Sequence, residues 1–228
     1  MQYISILGDS ISTFSGKNPP GYSVYYDRRM QSANSLYFAG KTWWGRVIKA
    51  LGGKLCVNNS YSGSRVCGAD RFSGCSEERT GGLHTPSHRP DVILIYMGFN
   101  DFGYGMTPDY AEGDERMAFD SAYKRMLDSV RRHYPEAKII GGTVMRSFLR
   151  GDDDWIFPES FCGTELERYN EAIRRVCREE NCLLADLSAL GKLYETLDGV
   201  HPTAEGHKTI AEAWIESLAG LGFDIAVK

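Results

Sequence analysis

Short apolar runs and longer segments with helical periodicity alternate along the 228-residue chain. The run at 91–97, of sequence DVILIYM, is the clearest, because six apolar or aromatic residues follow one another without a polar interruption. The predicted strands cover 3–8, 54–58, 91–97, 137–144 and 182–187, and the predicted helices cover 42–51, 114–133, 164–181 and 203–219.

This alternation predicts an α/β fold with a parallel sheet. Parallel strands need long crossover connections, which are usually helices, and these helices cover both faces of the sheet. The length suits one large domain, and we find neither an internal repeat nor a linker. We therefore predict a single domain over residues 1–228.

Several residues carry signals for the ends and faces of the helices. Thr42 suits the N-cap of the first predicted helix, and Gly52 suits its end. Thr164 and Glu167 have the spacing of a capping box. We expect Trp43 and Trp44 to pack against the core, His207 to face solvent, and one helix face to combine Met117, Tyr123, Met126, Leu127 and Val130.

Two long loops are predicted, at 12–41 and 145–163. The first is rich in tyrosine and phenylalanine, which either cover the edge of the sheet or bind a sugar ring or acyl chain. The second contains the acidic run 152–154, whose consecutive carboxylates do not match a calcium loop and indicate a solvated segment. Whether either loop closes over a site stays open at this point.

Composition excludes several classes of function. The formal net charge is −4 and no basic stripe is present, which disfavours nucleic acid as a partner. No apolar run is long enough to span a bilayer, and no signal peptide precedes the first strand, so we expect a cytoplasmic protein. The sequence leaves the oligomeric state open.

The six cysteines indicate thiols rather than a disulfide framework. Without a secretory signal, reduced cysteines are expected, and no CxxC pair suggests a zinc ribbon. Cys67 and Cys75 bracket a loop rich in Gly and Ser, and they are the one pair whose bonding the sequence leaves undecided. We expect neither a metal nor a cofactor.

Four short fragments carry the candidate chemistry. They are GDS at 8–10, NSYSGS at 59–64, GFND at 98–101 and DGVHP at 198–202. Three of them follow predicted strands, and the last precedes a predicted helix. Because the carboxyl ends of parallel strands lie at one edge of the sheet, the fragments can meet there.

Taken together and in this order, the fragments resemble the four sequence blocks of the SGNH hydrolases, also called the GDSL esterase/lipase family. The resemblance covers residues 8 to 202, nearly the whole chain. It implies a flavodoxin-like three-layer α/β/α sandwich and hydrolysis of esters. One departure is mild, since Ile11 stands where the family usually has Leu.

The resemblance also implies roles for individual residues. Ser10 would be the nucleophile, His201 the base that takes its proton, and Asp198 the carboxylate that orients the imidazole. The backbone N–H groups of Ser10 and Gly63 and the amide of Asn100 would form the oxyanion hole. Gly68 is a second glycine near that block, but Gly63 fits the motif better.

Other polar residues have plainer interpretations. We expect Asp9 and Asp101 to form local hydrogen bonds that shape their own turns. The four remaining histidines lack an aspartate three residues before them. They are His84, His88, His133 and His207.

The sequence therefore predicts a serine-dependent carboxylic ester hydrolase acting on a small-molecule or carbohydrate ester, with O-acetyl carbohydrate favoured. A short-chain lipase, lysophospholipase or thioesterase is the alternative within the enzymes. A carbohydrate-binding protein without turnover is the alternative of another class. An α/β-hydrolase is disfavoured because no GxSxG occurs, and a nucleotide-binding protein because no GxGxxG or P-loop follows a predicted strand.

Overall fold

The structure, a computed structural model, describes residues 1–226, and of Asp153 only the backbone. The strands are β1 (Tyr3–Gly8), β2 (Lys54–Ser60), β3 (Val92–Tyr96), β4 (Lys138–Gly142), β5 (Ser147–Leu149), β6 (Asp152–Ile156), β7 (Ser160–Phe161), β8 (Thr164–Glu165), β9 (Leu183–Ala185) and β10 (Tyr194–Thr196). The α-helices are α1 (Arg28–Ala33), α2 (Trp43–Ala50), α3 (Glu77–Gly81), α4 (Phe99–Gly103), α5 (Phe119–His133), α6 (Leu166–Glu179) and α7 (Ala204–Gly220).

The main sheet has five parallel strands in the order β2-β1-β3-β4-β9. This confirms the predicted parallel sheet. β2 follows β1 in the chain and pairs on one side of it, whereas β3 pairs on the other side of β1. The direction in which strands are added to the sheet therefore reverses between β1 and β3. In sheets of this kind, ligands bind at the carboxyl ends of the strands at the point of reversal.

Two neighbouring glycines of β4 show the helical layers on the two faces. A Cβ atom on Gly141 would lie 2.7 Å from the Tyr123 hydroxyl of α5 and the Cys177 sulfur of α6. A Cβ atom on Gly142 would lie 2.5 Å from the Trp214 ring of α7. Because successive strand residues point to opposite faces, helices cover both faces. The predicted three-layer α/β/α sandwich is confirmed.

The layer that contains α7 is held by aromatic packing. The Trp43 and Trp214 rings stack at a centroid distance of 5.2 Å, and both side chains are fully buried. Thr42 caps α2 by accepting a hydrogen bond from the Gly45 N–H at 3.0 Å, as predicted. Thr203 caps α7 in the same way through the Gly206 N–H.

Residues 145–163, which we expected to form a loop, contain strands. β5 pairs in parallel with β10 and antiparallel with β6, which gives a second, three-stranded sheet. The predicted loop at 152–154 is therefore wrong, because these residues begin β6, whereas the predicted exposure to solvent is confirmed for Asp152 and Asp154. β6 begins with three consecutive aspartates, a residue type that is depleted in strands, and its pairing with β5 overrides this local preference.

Two helix starts also differ from the predictions. α5 begins at Phe119 rather than 114, because Thr107 and Ala118 form a bridge that keeps the chain extended. Met117 consequently stays exposed and does not join the buried face of α5. α6 begins at Leu166, and Thr164 pairs with Phe161 in a hairpin, so the capping box does not form.

The prediction that His207 faces solvent is wrong. Its side chain is fully buried between α7 and α2, where Nδ1 accepts a hydrogen bond from the Trp43 N–H at 3.1 Å. Burial lowers the pKa of His207 to about 3, with the positive charge of Arg46 acting in the same direction. The neutral imidazole therefore serves as an acceptor at the start of α2.

All six cysteines are free thiols in the structure. Cys67 and Cys75, the pair left undecided by the sequence, are both buried and unbonded to each other. No helix among residues 1–226 is long and apolar enough to cross a bilayer.

A buried arginine ties together the ends of the strands beside the point of reversal. The Arg79 guanidinium of α3 is fully buried and donates to the Gly8 carbonyl at 2.6 Å and the Asn59 carbonyl at 3.2 Å. A third bond reaches the Phe72 carbonyl. Burial lowers the pKa of Arg79 to about 10. One side chain thus fixes the ends of β1 and β2 relative to each other.

Asp9, directly after β1, is a buried carboxyl group. It is 1% exposed, and Oδ1 accepts a hydrogen bond from the Ile11 N–H at 3.0 Å, which confirms the predicted local contact. Burial raises the pKa of Asp9 to about 7, and the hydrogen bond and the charge of Arg79 oppose this only in part. Between about pH 4 and 7, the folded protein therefore keeps a proton on Asp9 that the unfolded chain releases.

Gly142→Ala should destabilise the fold by about 1–3 kcal/mol, because the new methyl group meets the rigid Trp214 ring. Gly220→Ala is the matched control, since nothing lies within 4 Å of its Cβ position. Urea denaturation monitored by circular dichroism measures the free energy of unfolding of both variants. Equal midpoints for the two variants would contradict the close packing of α7 on β4.

The titration of Asp9 should make the native protein less stable as pH rises. Its pKa is higher in the folded than in the unfolded chain, so stability is lost between about pH 4 and 7, by up to about 1.4 kcal/mol per pH unit. Asp9→Asn should flatten this loss, whereas Asp224→Asn, at an exposed position, should not. Urea unfolding at several pH values gives the slope of the unfolding free energy against pH. A slope in Asp9→Asn equal to that of the native protein would contradict the raised pKa of Asp9.

Candidate active site

Register places three of the four sequence fragments at one level of the sheet. Gly8 at the end of β1 lies opposite Ser60 of β2 and Tyr96 of β3. Ser10 follows Gly8 by two residues, Gly63 follows Ser60 by three, and Asn100 follows Tyr96 by four. Because the strands are parallel, all three fragments leave the sheet at the same edge, as predicted.

Ser10 begins a short 3₁₀ turn, Ser10–Ser12, for which Asp9 is the N-cap residue. The end of the turn is held by two hydrogen bonds from α2. The indole N–H of Trp43 donates to Ser12 Oγ, and that of Trp44 donates to the Ser12 carbonyl. Ser10 itself is 5% exposed, and its Oγ lies 2.9 Å from His201 Nε2.

His201 and Asp198 lie in one turn before α7. Asp198 Oδ1 accepts hydrogen bonds from the backbone N–H groups of Val200 at 3.0 Å and His201 at 2.8 Å. Asp198 Oδ2 lies 2.7 Å from His201 Nδ1. The turn requires a positive φ of 87° at Gly199, where the Trp155 ring also leaves no room for a Cβ atom. The backbone at Gly199 and the hydrogen bonds of the Asp198 side chain together fix the distance between Asp198 and His201.

Asp198 is held as a carboxylate. Its partial burial raises the pKa, but the hydrogen bond and charge of His201 and the hydrogen bond from Tyr25 bring the pKa of Asp198 well below its ordinary value. The negative charge therefore stays next to Nδ1. An imidazole bonded in this way keeps Nε2 free to accept a proton.

Tyr25 is a site residue that the sequence analysis did not single out. Its ring stacks on the His201 imidazole at a centroid distance of 3.4 Å and an angle of 9°. Its hydroxyl donates to Asp198 Oδ2 at 2.7 Å. Burial and this hydrogen bond raise the pKa of Tyr25, so the hydroxyl stays protonated. Only its membership of an aromatic loop could have drawn attention to it.

Gly63 lies in the loop after β2 with φ of 81°. Its Cβ position is open, so the backbone is accessible from the site side, and its N–H donates to no acceptor in residues 1–226. The other candidate, Gly68, uses its N–H for the Arg116 carbonyl. Gly63 is therefore the glycine of this block that retains a free donor.

Asn100 is placed by the turn at Gly98, whose φ is 133°. Its Nδ2 donates to the Ser64 carbonyl at 2.9 Å, which joins the fragments that follow β2 and β3. One amide hydrogen remains for another acceptor.

Asp101 differs from its predicted role in a local turn. It is fully buried, and its two oxygens accept hydrogen bonds from the backbone N–H groups of Val66 at 2.8 Å and Cys67 at 2.9 Å. Burial raises the pKa of Asp101 to about 6, although these two hydrogen bonds oppose the shift. Asp101 therefore fastens the loop that carries Gly63 to α4.

The structure thus brings Ser10, His201 and Asp198 into one chain of hydrogen bonds, with unused donors at Gly63 and Asn100. Such a chain of hydrogen bonds can move the Ser10 proton to His201. Within the described part of the chain, no group of three or more His, Cys, Asp or Glu side chains could hold a metal ion.

The sequence model of the GDSL-like Lipase/Acylhydrolase family matches residues 6–209. The chain is 26% identical over 237 residues to a multidomain esterase of Ruminococcus flavefaciens. This similarity covers 94% of the chain but only 28% of the relative, so the chain spans little more than a quarter of that protein.

Solved structures give the same result. A structure from Bacteroides ovatus named as a GDSL-like lipase is 28% identical with a TM-score of 0.73, and 96% of this chain aligns with 99% of that one. A carbohydrate acetylesterase of Sinorhizobium meliloti has a TM-score of 0.66 over 97% of this chain and all of its own. Its identity of 15% shows the shared fold alone. With a family match over most of its length and the same fold as these neighbours, the chain belongs to the GDSL-like lipase/acylhydrolase family.

Proposed function

We propose that this chain hydrolyses carboxylic esters with Ser10 as the nucleophile. The observation that carries the proposal is the hydrogen-bonded series from Ser10 Oγ through His201 to Asp198, with contacts of 2.9 and 2.7 Å. Membership of a family of lipases and acylhydrolases supports it.

In the first step, Ser10 Oγ attacks the ester carbonyl and His201 Nε2 takes its proton. The tetrahedral intermediate then collapses, and the C–O bond to the alcohol breaks as His201 returns the proton to the leaving oxygen. The products are the acyl ester of Ser10 and the free alcohol. Asp198 balances the positive charge that His201 carries in between.

Negative charge on the former carbonyl oxygen needs donors that are already in place. The N–H groups of Ser10 and Gly63 and the second amide hydrogen of Asn100 would supply them. The buried Asp101 fixes this loop, and Arg79 fixes the strand end before Ser10, so little reorganisation would be required.

The second step uses water in the place of the alcohol. His201 takes a proton from water, the hydroxide adds to the acyl carbon, and collapse releases the carboxylic acid and restores Ser10. The step returns His201 to its neutral form. No oxidant, metal or cofactor enters either step as proposed.

We further propose that the substrate is an O-acetylated carbohydrate. The cavity beside Gly63 is lined by polar groups such as Ser64, Asp70 and Ser73, which suit a polar alcohol better than a long acyl chain. A short-chain lipase or thioesterase is the alternative that a preference for longer chains would support. A carbohydrate-binding protein without turnover is the alternative that absence of reaction would support.

Ser10→Ala should lower kcat for p-nitrophenyl acetate by about 10⁴-fold or more, because no other group takes over the nucleophile's role. Ser15→Ala, at an exposed position in the same loop, is the control and should retain activity. The release of nitrophenol measures both. A Ser10→Ala variant as active as the native protein would refute the mechanism.

Acetate should be preferred over octanoate when the native protein is given p-nitrophenyl esters of both. A preference for octanoate would favour the lipase or thioesterase alternative. Failure to hydrolyse either ester, together with no labelling of Ser10 by a serine-directed phosphonate, would favour the binding protein.

Tyr25→Phe should lower kcat about 10-fold, because one charge-assisted hydrogen bond to Asp198 is lost while the stacked ring remains. Tyr25→Leu should lower it further, because the ring on His201 is lost as well. Tyr22→Phe is the control, since its hydroxyl faces Glu78 instead. Equal rates in Tyr25→Leu and the native protein would show that Tyr25 does not position the pair.

A further inference from the structure

A small cavity of about 200 Å³ lies directly beside Gly63. Its walls include the side chains of Tyr61, Arg65, Phe72 and Tyr104. Pockets for drug-sized ligands have about 300–1,000 Å³, so this one suits a single small group. Because Gly63 also borders the reacting carbonyl in the proposed function, a group in the cavity would belong to the part of the substrate next to the ester bond.

Arg65 is the cation in this cavity, and it has little to bind. Its Nη1 lies 3.1 Å from the sulfur of Met106, a weak acceptor, and its guanidinium lies 5.2 Å from the centre of the exposed Tyr104 ring. No carboxylate among the described side chains lies within 4.0 Å of it. A guanidinium offers five N–H donors, so most of its binding capacity is unused.

Ser64 and Asp70 are two further polar residues of the lining. Ser64 is 6% exposed, and its Oγ has no hydrogen-bond partner among the described residues. Asp70 is the opposing charge in the cavity, but its oxygens already accept from the Phe72 N–H at 2.8 Å and Ser73 Oγ at 2.9 Å. Asp70 is thus a carboxylate fixed by its own hydrogen bonds, which also lower its pKa, and Ser64 Oγ is buried, whereas most donors of the Arg65 guanidinium are free.

We propose that Arg65 forms a subsite for a carboxylate on the alcohol part of the ester, so that the substrate is an acylated sugar acid. The proposal rests on the proposed ester hydrolysis. A guanidinium matches a carboxylate through two parallel N–H bonds, and a partly buried pair is stronger than an exposed one. The net charge of −4 would repel an anionic substrate elsewhere, which makes a local cation decisive.

Two matched substrates test this subsite. They are 2,3,4-tri-O-acetyl methyl glucuronoside and its C6 amide, which carry the same acetyl groups and differ only at C6, where the acid is an anion and the amide is uncharged. We expect the native protein to prefer the acid in kcat/KM by about 10-fold or more, as one charge-assisted bond provides. Arg65→Gln should abolish the preference, chiefly through KM for the acid, and Arg65→Lys should restore part of it.

Arg71→Gln is the control variant. Its guanidinium lies over Phe72 at 4.5 Å, but it is exposed and has Glu78 at 3.8 Å as a partner. The preference for the acid should be unchanged in this variant. Circular dichroism melting of each variant shows that the fold is intact.

Binding measured without turnover separates this proposal from the proposed function. Calorimetry on Ser10→Ala should show that methyl glucuronoside binds more tightly than methyl glucoside, and that Arg65→Gln in this background removes the difference. Failure of the native protein both to hydrolyse p-nitrophenyl esters and to be labelled at Ser10 by a serine-directed phosphonate would refute ester hydrolysis and leave this binding result to decide the subsite. Equal treatment of acid and amide by the native protein, or a preference that survives Arg65→Gln, would overturn the subsite.

Discussion

The parallel pairing of β1 between β2 and β3 is the constraint on which the site depends. The pairing brings the ends of three strands to one level, so the residues that follow Gly8, Ser60 and Tyr96 emerge together. Hydrogen bonds between strands set this level, and a shift of register would separate the fragments. The three layers of the fold supply the packing that keeps β1 in this position.

Buried charged groups hold the loops at that edge more firmly than the sheet alone could. Arg79 satisfies three backbone carbonyls, those of Gly8 and Asn59 near the ends of β1 and β2 and that of Phe72 in the following loop. Asp101 satisfies two backbone N–H groups of the same loop. Burying such groups is costly unless they are bonded in this way. Asp9 is buried at the same edge of the sheet. Because this burial raises its pKa, the stability of the protein depends on pH.

Much of the fold could be predicted because short apolar runs indicate buried strands and helical periodicity indicates helices. The five main strands, and the capping role of Thr42, were predictable from neighbouring residues alone. The second sheet was missed, and the capping box at Thr164 was wrong, because pairing with distant residues decided both. The prediction that His207 faces solvent was wrong for the same reason, since distant residues such as Trp43 and Tyr26 pack against it.

The sequence by itself determined which residues stand at the strand ends and which four fragments occur in order, because these are local patterns. Tertiary structure alone decided how Tyr25 covers His201, how Asp101 fastens a loop 34 residues away, and that Arg65 meets no carboxylate among the described side chains. Contacts of this kind join residues far apart in the chain. Their geometry follows from the packing of whole elements, which no short stretch of sequence contains.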